Sequence, residues 1–186
     1  VATTDWILTK NRVIQKISQL LSSVQTSQQH LLQTCTTLEK EVLASSPKIS
    51  KGENYQGLPW LVLDYPRYFN KEEVFAIRTL FWWGNFFSVT LHLSGKYKVQ
   101  YEKKILGSFE SLKSADFSVC INEDQWQHHF EDNNFKKITG QLKLTEITKK
   151  KFIKLAFKYE LKNWNNMPQL FHTGYTPMGG LLKNAG

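Results

Sequence analysis

The sequence predicts an α+β domain: an antiparallel sheet of about five to seven strands, packed by a buried helix and a long N-terminal helix or helical hairpin. Three features carry that expectation. Residues 5–43 contain no Gly or Pro and repeat apolar residues at helical spacing. Residues 58–93 form the densest apolar and aromatic run in the chain. Several later stretches alternate apolar and polar residues with a period of two, without the regular rhythm of βαβ units.

The N-terminal run comes first. Ile17, Val24, Leu31 and Leu38 are spaced by seven, with Leu21, Cys35 and Val42 on the same side. The other face carries Gln, Ser, Thr and Lys, which makes an amphipathic helix. As one straight rod the segment is roughly 58 Å long, against about 40 Å for a compact domain of this size. A break at Ser22 and Ser23 or at Thr26 and Ser27 resolves the mismatch, because hydroxyl side chains compete for backbone hydrogen bonds. The charges of a committed coiled coil are missing. Packing against the chain's own sheet is the first expectation, and a homodimer through this helix the second. The polar stretch that follows contains Pro47 and Gly52 and reads as a linker. The expected organisation is therefore a helical arm over 1–45, a linker over 46–57 and an α+β body over 58–186.

Within the body, Pro59 and Pro66 bracket a β-prone run and predict a strand. Asn70 followed by Glu73 has the spacing of a capping box, which predicts a buried helix over 71–83 that stops at Gly84. Phe87, Val89, Leu91 and Leu93 alternate with Ser88, Thr90 and His92. Tyr97, Val99 and Tyr101 alternate after Ser94 and Gly95. Together they predict a hairpin with a loop of residues 94–96, since that register puts apolar side chains opposite one another. A short strand follows over 117–121. A helix capped by Asn122 is expected over 123–130, and a short strand over 141–144. Ile153, Leu155, Phe157, Tyr159 and Leu161 predict a long edge strand with an outward lysine row. The tail from Asn163 reads as irregular, and no internal repeat is present.

Composition narrows the function classes. The chain has 24 Lys and Arg against 16 Asp and Glu, a net charge of +8, and 12 Phe, 7 Tyr and 6 Trp. The basic balance argues for an anionic partner, yet the excess is lysine, whereas base reading favours Arg. Nucleic acid is therefore the weaker expectation. Cys35 and Cys120 make no disulfide framework and no metal or redox motif, so a reducing, cytoplasmic setting is expected. No basic-then-apolar leader opens the chain, although a start at Val1 is compatible with one having been removed. Arg78 inside the apolar run argues against a membrane span.

The candidate polar site is drawn from Asp64, Arg67, Arg78, His92, His128, His129 and His172. Asp64 lies among apolar strand neighbours and needs a cationic partner, with Arg67 and Arg78 near in sequence. His92 shares a face with Ser88 and Thr90 and is a polar handle if that face lines a cavity. His128 and His129 are adjacent, and neighbours on a helix point about 100° apart, a poor arrangement for one metal ion. No metal and no cofactor is expected. Tyr65, Trp82, Trp83 and Trp126 are the candidate aromatic pocket. No nucleophile or phosphate-loop signature occurs. The leading expectation is a noncatalytic binding or interaction protein that uses an aromatic-lined sheet face or the N-terminal helix, with a partner or an apolar small molecule as its ligand. Nonspecific nucleic-acid binding through lysines is the first alternative. A metal- or His/Asp-dependent enzyme is the second.

Overall fold

A computed structural model describes residues 4–33, 35, 38–139, 142 and 145–183. One antiparallel sheet of seven strands organises them, in the order β1-β2-β3-β4-β7-β5-β6. The strands are β1 (Lys48–Tyr55), β2 (Leu58–Phe69), β3 (Val74–Trp82), β4 (Phe86–Ser94), β5 (Ser118–Cys120), β6 (Phe135–Lys137) and β7 (Phe152–Glu160). The helices are α1 (Asp5–Gln33), α2 (Lys40–Leu43), α3 (Lys96–Gly107), α4 (Phe109–Ser114), α5 (Thr145–Thr148) and α6 (Met167–Leu182). The α+β class expected from the sequence is what is found.

Strands β1 to β4 form a meander. Gln56 and Gly57 both take positive φ between β1 and β2 (51° and 82°), as a tight hairpin turn that matches strand twist requires. Gly84 (φ 70°) turns β3 into β4. Strand β2 changes register between Asp64 and Arg67, beside a cis Tyr65–Pro66 peptide. Strand β7 then adds to the far side of β4, from Phe86 opposite Glu160 to Ser94 opposite Phe152.

The two faces of the sheet differ. Odd-numbered residues of β3, β4 and β7, and of β2 as far as Tyr65, point to one side; beyond the register change in β2 it is Tyr68 that faces there. Leu61, Leu63, Phe75, Ile77, Phe81, Phe87, Val89, Leu91, Leu93, Ile153 and Leu155 there join the main core. Helix α1 adds Ile17, Leu21 and Val24, α3 adds Tyr97, Tyr101 and Ile105, and α6 adds Phe171, Tyr175 and Met178. The intervening residues point the other way, where no helix of comparable length lies among the described residues, and the segment 121–134 packs on that side.

Several expectations are corrected. Residues 71–83 are not a helix, because Val74–Trp82 is strand β3. Asn70 does receive the backbone N–H groups of Glu72 and Glu73 on its Oδ1, at 2.9 and 2.7 Å, but this closes a β-turn. The run lacks alternation because both its faces are buried, and its Val, Phe, Ile, Thr and Trp content favours a strand. The expected hairpin is also absent. Strand β4 pairs with β3 and β7, while residues 96–107 are helix α3. Tyr97, Tyr101 and Ile105 are spaced by four and share its buried face, whereas Val99 is 75% exposed.

Strand β7 is real, but it is interior rather than an edge. Its lysine row divides accordingly: Lys158 is exposed, whereas Lys154 is only 1% exposed. Residues 123–130 are irregular, since Asn122 and Asp124 fold them into successive Asx turns, accepting from the N–H groups of Asp124 (2.8 Å) and Trp126 (2.9 Å). The tail is not irregular. Pro168 starts α6, Pro177 sits inside it, and burial of Phe171, Tyr175, Met178, Leu181 and Leu182 overrides the weak local propensity.

Helix α1 runs unbroken past the hydroxyl residues. Ser18 and Ser22 donate to the carbonyls of Ile14 (2.9 Å) and Ser18 (3.0 Å), one turn back. The stretch 46–57 holds edge strand β1 rather than an irregular linker. The expected strand over 141–144 falls largely outside the described residues. No helix among the described residues is long and apolar enough to cross a membrane.

Candidate functional site

The even-numbered face of the sheet carries an unusual set of side chains. Asp64 stands opposite Arg78, Arg78 opposite Thr90, and Thr90 opposite Ala156. In the next row His92 stands opposite Lys154. Side chains directly opposite one another across antiparallel strands share a face, so four strands place two cations, a carboxylate and an imidazole on one surface. Val62, Leu80, Trp82 and Phe86 form an apolar cluster on the same side, joined by Tyr55, Trp60 and Phe130.

Asp64 and Arg78 make the expected ion pair. Arg78 Nε donates to Asp64 Oδ1 at 2.7 Å and Nη2 to Oδ2 at 2.9 Å. A third N–H, on Nη1, meets His128 Nε2 at 2.9 Å. A guanidinium only donates, so that ring nitrogen is the acceptor and the neutral ring carries its proton on Nδ1. Burial, reinforced by the charges of Arg78 and Lys154, pushes the His128 pKa well below the ordinary histidine value.

The segment 121–134 is tied to this face by hydrogen bonds rather than by regular structure. Lys154 Nζ donates to the carbonyls of Gln125 (2.9 Å) and Gln127 (2.6 Å). Burial lowers the Lys154 pKa to about 8. His92 Nε2 donates to Gln125 Oε1 at 2.9 Å, and its ring lies edge-on to Trp126, centroids 5.4 Å apart. Burial first, and then the charge of Lys154, brings the His92 pKa down to about 3. Tyr55 Oη accepts the backbone N–H groups of His128 (2.8 Å) and His129 (3.1 Å). Trp82 Nε1 donates to the Tyr55 carbonyl at 3.1 Å. Phe130 stacks on Phe135, centroids 4.5 Å apart.

Between the strap and the sheet lies a cavity of about 360 Å³, lined by Asn54, Tyr55, Trp60, Val62, Arg78, Leu80, Trp126 and His128. Gly52 sits opposite Trp60 across the β1–β2 ladder. A Cβ on Gly52 would lie 2.5 Å from the indole, so the bare glycine lets that ring lie across β1. Trp126, 47% exposed, stands at the rim.

The residues expected to form a site therefore divide. Asp64, Arg78, His92 and His128 share the polar face. His129 is buried on the strap, its Nδ1 without a hydrogen-bond partner and 3.7 Å from the Glu131 carboxylate. Arg67 lies apart, its Nε donating to the Ser46 carbonyl at 2.9 Å. His172 is exposed on α6. Of the candidate aromatic residues, Trp82 and Trp126 belong to the strap side. Tyr65 and Trp83 pack with the helix-side core. Among the described residues, no group of three or more His, Cys, Asp or Glu is placed to hold a metal ion.

No motif singles out Tyr55, Trp60, Gln125 or Lys154. Two signals point to them in retrospect. Gln56 followed by Gly57 is a tight-turn dipeptide that pairs Tyr55 with Leu58, and the register shift between Gly52 and Tyr55 then brings Gly52 opposite Trp60. Lys154 interrupts an otherwise apolar strand core, between Ile153 and Leu155. Searches against protein-family models, curated proteins and solved structures give no match to this chain.

Proposed function

We propose that this protein is a noncatalytic binding protein that takes a small aromatic or apolar molecule into the cavity between the sheet and the 121–134 strap. The observation that carries this reading is the cavity itself. Its 360 Å³ lies within the roughly 300–1,000 Å³ common for ligand sites, and its walls combine aromatic rings with a few convergent polar groups.

A second observation favours binding over catalysis. Both Asp64 oxygens are occupied by Arg78. His128 Nε2 is occupied as well, and His92 Nε2 is spent on Gln125. A general base needs an open lone pair within reach of the substrate proton: the single lone pair of His128 is taken by Arg78, and neither Asp64, held in its ion pair, nor His92 lines the cavity.

Isothermal titration of the full chain with a panel of small aromatic compounds tests the reading. Saturable binding with one site per chain is expected, and Trp60→Ala should weaken it at least about tenfold, as loss of a stacking wall implies. Absence of binding across the panel, or affinities unchanged by Trp60→Ala in a folded variant, would count against it.

A further inference from the structure

We propose that the occupant of this cavity is a planar aromatic acid whose carboxylate meets Arg78 while its ring lies against Trp60, Tyr55 and Trp126. The proposal rests on the binding reading above and adds the chemical class of the ligand.

The argument is an accounting of unspent hydrogen-bonding groups on the cavity wall. Asn54 Oδ1 accepts the Gly57 N–H at 2.9 Å, so its amide NH₂ is what remains. Tyr55 Oη accepts two backbone N–H groups, and its own O–H lies 3.4 Å from Gln127 Oε1. His128 has given its acceptor nitrogen to Arg78, which leaves Nδ1–H. A guanidinium has five N–H donors. Three of those on Arg78 go to Asp64 and His128, and the others have no partner among the described residues. Trp60 and Trp126 carry indole N–H groups, which only donate. The unspent hydrogens of the wall are therefore all donors, whereas its acceptors Asn54 Oδ1, Tyr55 Oη and His128 Nε2 each already hold at least one hydrogen bond. A ligand that satisfies such a wall must bring acceptors.

Charge points the same way. Among the described residues, this face carries two cations, half-buried Arg78 and buried Lys154, against one buried carboxylate, Asp64. Buried charge favours a counter-charge. The other acids near it, Asp124 and Glu131, sit on the strap, exposed to solvent, where water screens them. A carboxylate also matches the planar fork of a guanidinium better than a single acceptor does. The aromatic walls set the rest of the ligand, since offset or edge-on ring contacts add to plain burial.

Titration of the full chain with naphthoate and with naphthamide, its neutral counterpart of nearly the same shape, separates the two layers of the proposal. Naphthoate should bind at least about tenfold more tightly near neutral pH, the difference expected for a charge-assisted pair in a partly dry site. In the double variant Asp64→Asn with Arg78→Gln, which removes both charges of the pair together, the ratio of the two affinities should fall to near unity. Equal or tighter binding of naphthamide by the native chain would overturn the acid assignment and leave the cavity reading standing. No binding of either compound would overturn both. The comparison within the native chain decides the matter even if the double variant fails to fold.

Discussion

The two faces of this sheet are held by different physics. The odd-numbered face is covered by helices, and its contacts are mostly apolar: Phe87 packs on Phe81, Trp164 and Phe171 with ring centroids 5.1, 5.8 and 5.7 Å apart. The even-numbered face is covered by a strap without regular structure, and its contacts are directional: an ion pair, a buried lysine and two neutral histidines. Apolar packing tolerates any neighbour of the right shape, whereas a polar face specifies one geometry for each donor and acceptor. The second face is accordingly where a cavity with defined chemistry lies, and perturbing each face should have different consequences.

The largest effect belongs to the helix side. Phe87→Ala should cost about 3–5 kcal/mol in urea denaturation, the usual penalty for emptying a fully buried aromatic position, with little change in pH response. A cost under about 1 kcal/mol would show that the core is loosely packed. On the strap side, Asp64→Ala strands the Arg78 guanidinium and should cost about 3 kcal/mol, while Asp64→Leu with Arg78→Met should recover most of that loss. Failure of the double variant to recover would mean that the pair contributes more than it costs to bury.

Acid should act on the strap side through its two neutral histidines. His92 and His128 are held neutral in the fold but bind protons readily once unfolded, so protons favour the unfolded chain. The stability they lend is present above the ordinary histidine value and is lost as pH falls below it, down to about 3 for His92. At pH 5 the His92 contribution alone is a loss of about 2 kcal/mol. His92→Phe should flatten this part of the stability–pH curve, and an unchanged slope would refute the assignment.

Lys154 gives a smaller effect in alkali. Its pKa near 8 in the fold lies below the unfolded value, so the unfolded chain holds more protons between those limits and stability rises with pH. The expected gain is about 1.5 kcal/mol between pH 8 and 9.5. Above about pH 10 the trend reverses, because burial raises the pKa of Tyr101, Tyr159 and Tyr175 in the fold. Lys154→Met should abolish the rise and speed amide exchange in the strap, whose carbonyls at Gln125 and Gln127 lose their donor. The smallest effect is at the exposed Lys113–Glu110 pair, where Lys113→Ala should change stability by less than about 0.5 kcal/mol on either measure.

The same contrast explains what could be read from the sequence. Residues 5–33 and 153–159 show their period because one side of each is largely uniform in polarity. Strand β3 is buried on both faces, so it carried no period, and the cap-like pair Asn70 and Glu73 tipped the reading toward a helix. Helix α3 presents Tyr97 and Tyr101, whose spacing of four satisfies a two-residue period as well as a helical one. The Asp64–Arg78 pair was legible from the cost of burying a lone carboxylate. The roles of Tyr55, Trp60 and Lys154 were not, because each depends on strand order and on a strap fixed by long-range hydrogen bonds that no local pattern encodes.

The central claim is that the even-numbered face, under its strap, is the binding face. Two-dimensional ¹H–¹⁵N NMR during titration with naphthoate tests it most directly. The account predicts saturable shifts at the Trp60 and Trp126 indoles and at the Tyr55, Leu80 and His128 amides, with Leu21, Tyr101 and Phe171 left in place. Shifts centred on the helix-side residues, or no saturable shift at all, would contradict it.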